Sequence, residues 1–407
     1  MDYLSTLDPP DGSALPATAS SNDDDWGDIV DTDDEYDVVE DVCENITLYW
    51  RGVCYPICIG EVIEGRYRIV HKLGHGSFST VWMAYDMIHN YDVALKVLML
   101  RDEEDRDYQI QTRIIEPGID RTHLLVYHRS FHLRGLCGYH RVLVFPLKGP
   151  NLREYPAKKP LVTRMSFAVQ LLQALKSLHE AEIVHADLNT ANIMYDLRTL
   201  KDLRIAEKYK RFGRPKKMCI SVGNFKDGEV VRAAEPDVDL LGDTIVLGDF
   251  GLAGKPGIPA VGGQNPPFYC APERVHGINP SYASDMWSYM CIFFELYTTE
   301  KLFNGWHHDR VISSTVDTLG ALPLSWKGSR SDGRSCDDTW YDQDRHVSDE
   351  SALQPRLARL RPDASLREIE LVLCVLHRGL SYLPEDRQTA TELLEDASFN
   401  EFMAICH

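Results

Sequence analysis

The chain has 407 residues, of which 44% are hydrophobic, and a net charge of −19 at neutral pH. Its length allows one large two-lobed domain or two ordinary ones, and its acidic balance argues against a nucleic-acid partner, which would need a basic surface. The N-terminus lacks the basic and apolar regions of a signal peptide, and no run of about 18 uncharged apolar residues could span a membrane. We therefore expect a monomer without a membrane partner, located in the cytoplasm, the nucleus or both, with its ten cysteines as free thiols.

The negative charge is concentrated at the N-terminus. Residues 1–48 contain fifteen Asp or Glu and no Lys or Arg, so subtracting the −15 of this segment from −19 leaves −4 for the rest of the chain. Acidic runs mixed with Ser, Pro and Gly cannot bury enough surface to offset the entropy lost on ordering. The composition predicts a disordered acidic tail over 1–48, which either solubilises the protein or attracts a basic substrate.

The predicted elements after this tail change in kind along the chain. Four short runs rich in β-branched and aromatic residues, separated by turn signals, predict an antiparallel sheet. They are Tyr67–Leu73, Thr80–Tyr85, Val93–Leu98 and Arg141–Phe145. From Thr163 the apolar spacing becomes helical, and Ser284–Thr298 is apolar nearly all round, which predicts a buried helix. This order indicates an α+β fold with a β-rich first part and a helical second part, and the polar segments 199–240 and 326–352 are predicted to be inserted surface loops.

The first motif that carries chemistry is a glycine-rich run between two predicted strands. Its residues are Leu73, Gly74, His75, Gly76, Ser77, Phe78, Ser79, Thr80 and Val81. Glycines allow the backbone to approach a phosphate closely and to direct N–H groups at its oxygens. By itself the run could equally be an ordinary glycine-rich hairpin, so its meaning depends on the motifs further along the chain.

Three further groups stand near predicted strands or turns. Lys96 ends the run Val93–Lys96, whose other residues are apolar. The alternative interpretation of Lys96 is an ordinary lysine at a strand edge. Asp187 and Asn192 belong to the run His185–Asn192 after the amphipathic helix, and Asp249 opens Asp249–Gly251 after an apolar strand. Carboxylate and amide oxygens suit a hard cation that bridges phosphates, although each run could also be a simple polar turn.

Three later segments complete the pattern: Ala271–Glu273, Asp285–Ser288 at the start of the buried helix, and Arg387 after Pro384. Taken together and in this order, these motifs resemble eukaryotic protein kinases over residues 60–402. Small-molecule kinases share the His185–Asn192 pattern. Three other segments favour the protein kinases over them, namely Asp249–Gly251, Ala271–Glu273 and Asp285–Ser288. The resemblance implies an N-lobe over 60–145, a hinge over 146–149 and a C-lobe over 150–402.

The resemblance also implies roles for the motif residues and ATP and Mg²⁺ as cofactors. Residues 73–81, Ala94 and the Lys148 N–H would bind the nucleotide. Lys96 would hold its phosphates, Asn192 and Asp249 would bind Mg²⁺, and Asp187 would align the acceptor hydroxyl of a protein.

Within this group the chain is most similar to SR-protein kinases, particularly divergent fungal-type members. The residues that carry this likeness are Tyr55-Pro56, Ile59-Gly60, Gly65–Tyr67, Phe78–Trp82, Ser130–Leu133, Gly138, Val144-Phe145, Gly149-Pro150 and Leu319–Pro323. The resemblance implies a serine/threonine kinase that acts on Arg/Ser-rich protein substrates.

The chain departs from the family pattern at several positions. Ala186 replaces an arginine that grips a phosphorylated loop, and residues 249–273 contain no Ser or Thr and a single hydroxyl, that of Tyr269. We therefore expect this loop to be ordered without phosphorylation. Asn189 replaces a lysine that contacts the γ-phosphate, which removes a cation from the place where charge develops.

Two further departures concern the nucleotide. Pro146 stands at the start of the hinge, where the family usually has glutamate, and its carbonyl can still accept from adenine. The partner of Lys96 on the following helix aligns with Gln111, with Glu103, Glu104 and Glu116 as fallbacks. These changes leave a second function open, that of a pseudokinase which binds nucleotide or a partner without catalysis.

The basic run Lys208–Lys217 is either an ordinary solvated surface run or a nuclear import signal or anion-docking patch.

Overall fold

The N-terminal segment enters the fold earlier than its composition predicts. The computed structural model describes residues 43–100, 106–154, 158–198, 200, 203–259, 266–329, 337–348 and 350–406. Glu44 and Tyr49 are buried, and helix α1 spans Thr47–Trp50. The predicted end of the tail at residue 48 is therefore wrong, because residues 43–48 pack against the body, whereas the disorder predicted for 1–42 lies outside the described residues.

An antiparallel sheet of six strands follows. The strands are β1 Val62–Ile63, β2 Tyr67–His75, β3 Ser79–Asp86, β4 Tyr91–Leu98, β5 Arg129–Arg134 and β6 Tyr139–Pro146. Their spatial order is β1-β2-β3-β4-β6-β5. One face buries an apolar cluster that includes Tyr67, Trp82, Leu95 and Val144. Between β4 and β5 lies helix α2, Arg106–Ile115. The four strands predicted from residue type are confirmed.

The helical part packs around two long helices, α3 (Leu161–Glu180) and α6 (Tyr282–Thr298). From Ser284 to its last residue, α6 is buried on all sides, as its composition predicts. The other helices in this part are α5 Pro272–Val275, α7 His308–Leu319, α8 Leu353–Leu360, α9 Leu366–Gly379, α10 Ala390–Glu395 and α11 Ala397–Cys406. In the part of the chain that the structure describes, no helix is long and apolar enough to cross a membrane.

A two-stranded pairing of β7 (Ile193–Leu197) with β10 (Leu241–Leu247) positions the motif residues. In its register Ile193 faces Leu247, and the Gly248 N–H donates to the Asn192 carbonyl at 2.9 Å. Asn192 and Asp249 therefore stand side by side at one end of this hairpin.

The prediction of a surface loop over 199–240 is wrong. This segment, which we call the insert, contains helix α4 (Ile205–Phe212) and a hairpin of β8 (Lys217–Val222) and β9 (Lys226–Val231). Helix α4 buries Ile205, Tyr209 and Phe212 in a cluster with Val70 and Met83 of the sheet. The apolar residues of this segment recur on one face of a short helix and on one face of a hairpin. Many charged residues separate them along the chain, so the segment as a whole has a polar composition.

The segment 326–352 also differs from a surface loop at its described ends. Trp326, Trp340 and Tyr341 are buried against Ile312 and Val316 of α7. The aromatic residues are few and widely separated, so the surrounding Ser, Asp and Arg dominate the composition. Residues 330–336 and 349 lie outside the described part of the chain.

Candidate active site

The glycine-rich run forms the tip of the β2–β3 hairpin. Gly74 faces Val81 across the hairpin, and the Gly76 N–H donates to the Ser79 carbonyl at 2.9 Å. A Cβ atom added at Gly74 or Gly76 would meet no other atom within 4 Å. Packing inside the protein therefore does not require these glycines, and the open space beside the hairpin suits a ligand that approaches the backbone.

Beneath this hairpin lies a small apolar cluster. Ala94, Leu143 and Phe145 are buried there, and Leu73, Val81 and Leu147 pack against them. The cluster adjoins the end of β6, where Ala94 pairs with Phe145 and Val93 with Pro146. A flat apolar ring can lie between such side chains. The side chain of Lys148 pairs with Asp196 at 2.8 Å.

Lys96 lies between two carboxylates that come from different parts of the chain. Its Nζ donates to Asp107 Oδ2 at 2.7 Å and to Asp249 Oδ1 at 3.0 Å. Burial disfavours the charged lysine, but the two carboxylates raise its pKa above the ordinary value, so Lys96 stays an ammonium. The Lys96 charge in turn lowers the pKa of Asp249, whose side chain is still 48% exposed and accessible to a ligand.

The predicted partner of Lys96 on the helix is wrong. Asp107, one turn before Gln111, makes the ion pair, and the Gln111 Nε2–H donates to Asp107 Oδ1 at 2.7 Å. Glu103 and Glu104 lie outside the described residues, and Glu116 follows the end of α2. The sequence does contain a signal for Asp107. It stands four residues before Gln111, and residues four apart share one face of a helix.

Asp187 is held by the side-chain amides of two residues that follow it in the chain. Asn192 Nδ2 donates to Asp187 Oδ2 at 2.9 Å, and Asn189 Nδ2 donates to Asp187 Oδ1 at 3.1 Å. Burial raises the pKa of Asp187, and the nearby Asp249 charge raises it further, against His185 and the two amides, which lower it. Asn189 thus orients Asp187 and also caps the turn that begins at Thr190, since its Oδ1 accepts from the Ala191 N–H.

The backbone before Asp187 is fixed from below by Asp285. Its carboxylate accepts the N–H of His185 at 2.8 Å and the N–H of Ala186 at 3.0 Å. Ala186 has a φ of 63°, a left-handed conformation that a residue with a Cβ adopts only when its surroundings impose it. Asp285 belongs to a motif that the sequence singles out, but its contact with this strained turn becomes visible only in the fold.

Within the described residues, contacts with the rest of the protein hold the loop after Asp249 in place. The Arg106 Nε–H of α2 donates to the Ala253 carbonyl at 3.0 Å. Tyr269, which carries the loop's only hydroxyl, is buried, and this hydroxyl contacts Thr190 at 2.9 Å and Glu295 at 2.7 Å. Residues 260–265 lie outside the described part.

The end of the loop is anchored by a fully buried ion pair. Arg387 donates to both oxygens of Glu273, at 2.6 and 2.8 Å, and the side chains of both residues are 0% exposed. Two of the later motif segments, Ala271–Glu273 and Arg387, therefore meet in the fold.

The donor set fits Mg²⁺ bound together with phosphates. Asp249 offers a carboxylate, and because Asn192 uses its amide nitrogen on Asp187, its amide oxygen is the atom suited to a cation. Within the described ranges, no group of three His, Cys, Asp or Glu could hold a metal ion. This matches Mg²⁺ sites that use one or two protein groups and complete the shell with phosphate and water.

Comparison with known proteins agrees with this geometry. The family model of the protein kinase domain matches residues 67–399. A serine/threonine protein kinase of Aspergillus fumigatus is 26% identical over 373 residues, which cover 87% of this chain and 89% of the relative. The serine/threonine-protein kinase SRPK of Physarum polycephalum is 30% identical over 348 residues, which cover 76% of this chain and 78% of the relative. The crystal structure of a kinase domain, 22% identical, aligns with a TM-score of 0.59 over 85% of this chain and 99% of that domain, which bears on the fold alone.

Proposed function

Since this chain belongs to the protein kinase family and is a serine/threonine protein kinase, we propose that Lys96, Asp187, Asn192 and Asp249 carry out the transfer with ATP and Mg²⁺ as its cofactors. Lys96 contacts the phosphates, Asn192 and Asp249 supply oxygen ligands to the metal, and Asp187 aligns the acceptor hydroxyl. Mg²⁺, when bound, neutralises charge that develops on the transferred group. Catalysis rests on positioning and on preorganised charge.

In the proposed reaction, the serine or threonine oxygen forms a bond to the γ-phosphorus, and the bond from that phosphorus to the β–γ bridging oxygen breaks. Asp187 is placed to accept the hydroxyl proton. Both of its oxygens are already oriented by amides, so the carboxylate does not reorganise as the substrate arrives. The replacement of a lysine by Asn189 removes one cation but adds one of these two restraints.

The observation that carries the proposal is the convergence of two pairs, Lys96–Asp249 and Asp187–Asn192, at one end of the β7–β10 hairpin. The test is transfer of labelled phosphate from ATP to a protein or peptide. Asp187→Asn should lower kcat by about 10²- to 10⁴-fold, whereas the control Asp243→Asn, at an exposed residue paired with Lys159, should not. Equal activity of Asp187→Asn and wild type would contradict the proposal.

For the substrate we propose serines beside arginines. The proposal is supported by the likeness to the SRPK relative, over three quarters of both chains, and by the SR-protein kinase residues in the sequence. A peptide array with Arg-Ser, Lys-Ser and Ala-Ser repeats tests it. Preferential phosphorylation of Arg-Ser peptides is expected, and a preference for another serine peptide would refute the substrate class while leaving the kinase activity intact.

A further inference from the structure

Helix α2 presents to Lys96 an acid that is held by a neighbouring side chain. Asp107 is one methylene shorter than glutamate, and its side chain is 8% exposed. A buried carboxylate is stabilising only when its charge is paired and its remaining lone pairs are satisfied. One oxygen of Asp107 accepts from Lys96, and the other accepts from Gln111.

Gln111 is oriented at both ends of its amide. Its Nε2–H group donates to Asp107 Oδ1 at 2.7 Å, and its Oε1 accepts the Tyr127 backbone N–H at 2.9 Å. An ionised carboxylate only accepts and an N–H only donates, so the partners determine which end of the amide carries the nitrogen. Gln111 is 1% exposed, so no solvent competes for either hydrogen bond.

The segment that receives Gln111 also holds the strand that leads to Asp249. The Leu125 N–H donates to the Leu247 carbonyl at 2.7 Å, and the Leu247 N–H donates to the His123 carbonyl at 2.8 Å. Asp249 follows Leu247 by two residues and contacts Lys96 at 3.0 Å. The contacts thus close a ring from Lys96 through α2 to residues 123–127, and back through β10.

We propose that Gln111 is a positioning residue for the transfer reaction, one that holds Asp107 against Lys96 and sets α2 in place relative to Asp249. This inference rests on the proposed role of Lys96. Gln111 acts through Asp107 and does not contact the substrate. Glutamate at position 111 would serve less well, since its anion would face Asp107 and it would lack the donor.

The first test is a double-mutant cycle on activity. Gln111→Leu keeps the volume and removes both hydrogen bonds, and it should lower kcat roughly tenfold or more, the size expected for a hydrogen bond to a buried charge, with an unchanged KM for the peptide. In the Asp107→Ala background, Gln111→Leu should have little further effect, because the two residues act in one chain. Additive effects of the two changes would overturn the proposal.

Two variants separate positioning from a general loss of structure. Gln111→Glu is nearly isosteric and keeps the acceptor for the Tyr127 N–H, so it preserves the tie to that segment while it places an anion beside Asp107. It should be impaired at least as much as Gln111→Leu, and wild-type activity would contradict the proposal. Thr112→Ala is the matched control, since Thr112 also contacts Tyr127, through the hydroxyl at 2.8 Å, and does not touch Asp107.

The closing experiment is independent of catalysis. The rate at which an amine-acylating reagent modifies Lys96, followed by mass spectrometry, reports how firmly the lysine is held between Asp107 and Asp249. Gln111→Leu and Asp107→Ala should each raise that rate, the double variant should raise it no further, and Thr112→Ala should leave it unchanged. An unchanged rate in Gln111→Leu refutes the positioning role, whereas failure of the wild-type protein to transfer phosphate refutes the proposed function instead.

Discussion

At the scale of single residues, the site combines family positions with local substitutions that compensate each other. Ala186 stands where an arginine would grip a phosphorylated loop, and the loop is held instead by contacts such as the hydrogen bond from the buried Tyr269 hydroxyl to Glu295. Asn189 lacks the positive charge of the lysine that it replaces, but its side-chain amide donates a hydrogen bond that restrains Asp187. With such changes the site keeps its geometry, although different contacts hold the loop and Asp187 in place.

Lys96 should control nucleotide binding. In wild type, Mg²⁺-ATP at about 100 times its Kd should stabilise the folded protein by about 2.7 kcal/mol. Lys96→Ala should lose most of the increase in melting temperature, because Asp107 and Asp249 then face each other without the cation that pairs with both. The control Lys176→Ala, at an exposed helix pair with Glu180, should keep the full shift, and an equal shift in Lys96→Ala would refute the assignment.

At the scale of elements, the insert is an integral part of the sheet-rich half. The Tyr209 hydroxyl donates to the Val70 carbonyl at 3.1 Å, and the Ala234 N–H donates to the Lys72 carbonyl at 2.8 Å. The basic run Lys208–Lys217, a candidate import signal or docking patch, begins with a lysine that is buried and paired with Asp92 at 2.7 Å. This lysine therefore serves the packing of α4 on the sheet.

The two kinds of lysine in this run should respond differently to mutation. Lys208→Met leaves the buried Asp92 without its partner, and the loss of one member of a buried pair costs about 3–5 kcal/mol. Lys210→Met changes an exposed residue of the same helix and should cost no more than about 0.5 kcal/mol. Urea unfolding of both variants measures the difference.

Two outcomes would refine or refute this. The double change Lys208→Met with Asp92→Leu should recover most of the lost stability, because an apolar pair of similar volume needs no charge compensation. Equal unfolding midpoints for Lys208→Met and Lys210→Met would show that the ion pair does not anchor the insert.

The loop after Asp249 should not need phosphorylation. Arg106 holds it at Ala253, and Tyr269 has its hydroxyl buried in a hydrogen-bond network. Protein produced in bacteria and treated with phosphatase should transfer phosphate at the same rate as untreated protein. A large fall in activity after treatment would refute this prediction.

At the scale of the whole molecule, the acidic tail leads into a segment that stabilises the sheet. Glu44 forms a buried ion pair with Lys72 and a hydrogen bond with the Tyr49 hydroxyl. Burial favours the neutral form of Glu44, but the Lys72 ammonium and the hydrogen bonds lower its pKa below the ordinary value. A truncation at residue 45 would therefore do more than remove the tail, because it would leave the Lys72 charge unpaired.

Truncation should separate the two roles. Removal of residues 1–42 should leave the melting temperature unchanged, and removal of residues 1–45 should lower it. If the tail attracts basic substrates, the shorter truncation should change the KM for Arg-Ser peptides more than kcat. That effect should shrink with salt, since the Debye length falls to about 8 Å at physiological ionic strength. An unchanged KM at low salt would leave the tail with a solubilising role.

The sequence by itself determined the fold class and most of the residues that meet at the site. Residues 73–81, Lys96, the run from His185 to Asn192 and Asp249 could be recognised because each motif performs its chemistry within a contiguous stretch, and local residue order is what a sequence displays. The helices and strands that carry these motifs follow equally from local periodicity.

Only the tertiary structure decided the contacts between distant segments. The pair of Lys208 with Asp92 across 116 positions and the pair of Glu44 with Lys72 across 28 positions depend on how separate elements meet. No periodicity encodes such pairs, and a polar residue has the same appearance in a sequence whether it is solvated or buried against a partner. The charges of the insert and of residues 43–48 therefore resemble surface charges in the sequence, although folding buries several of them in pairs.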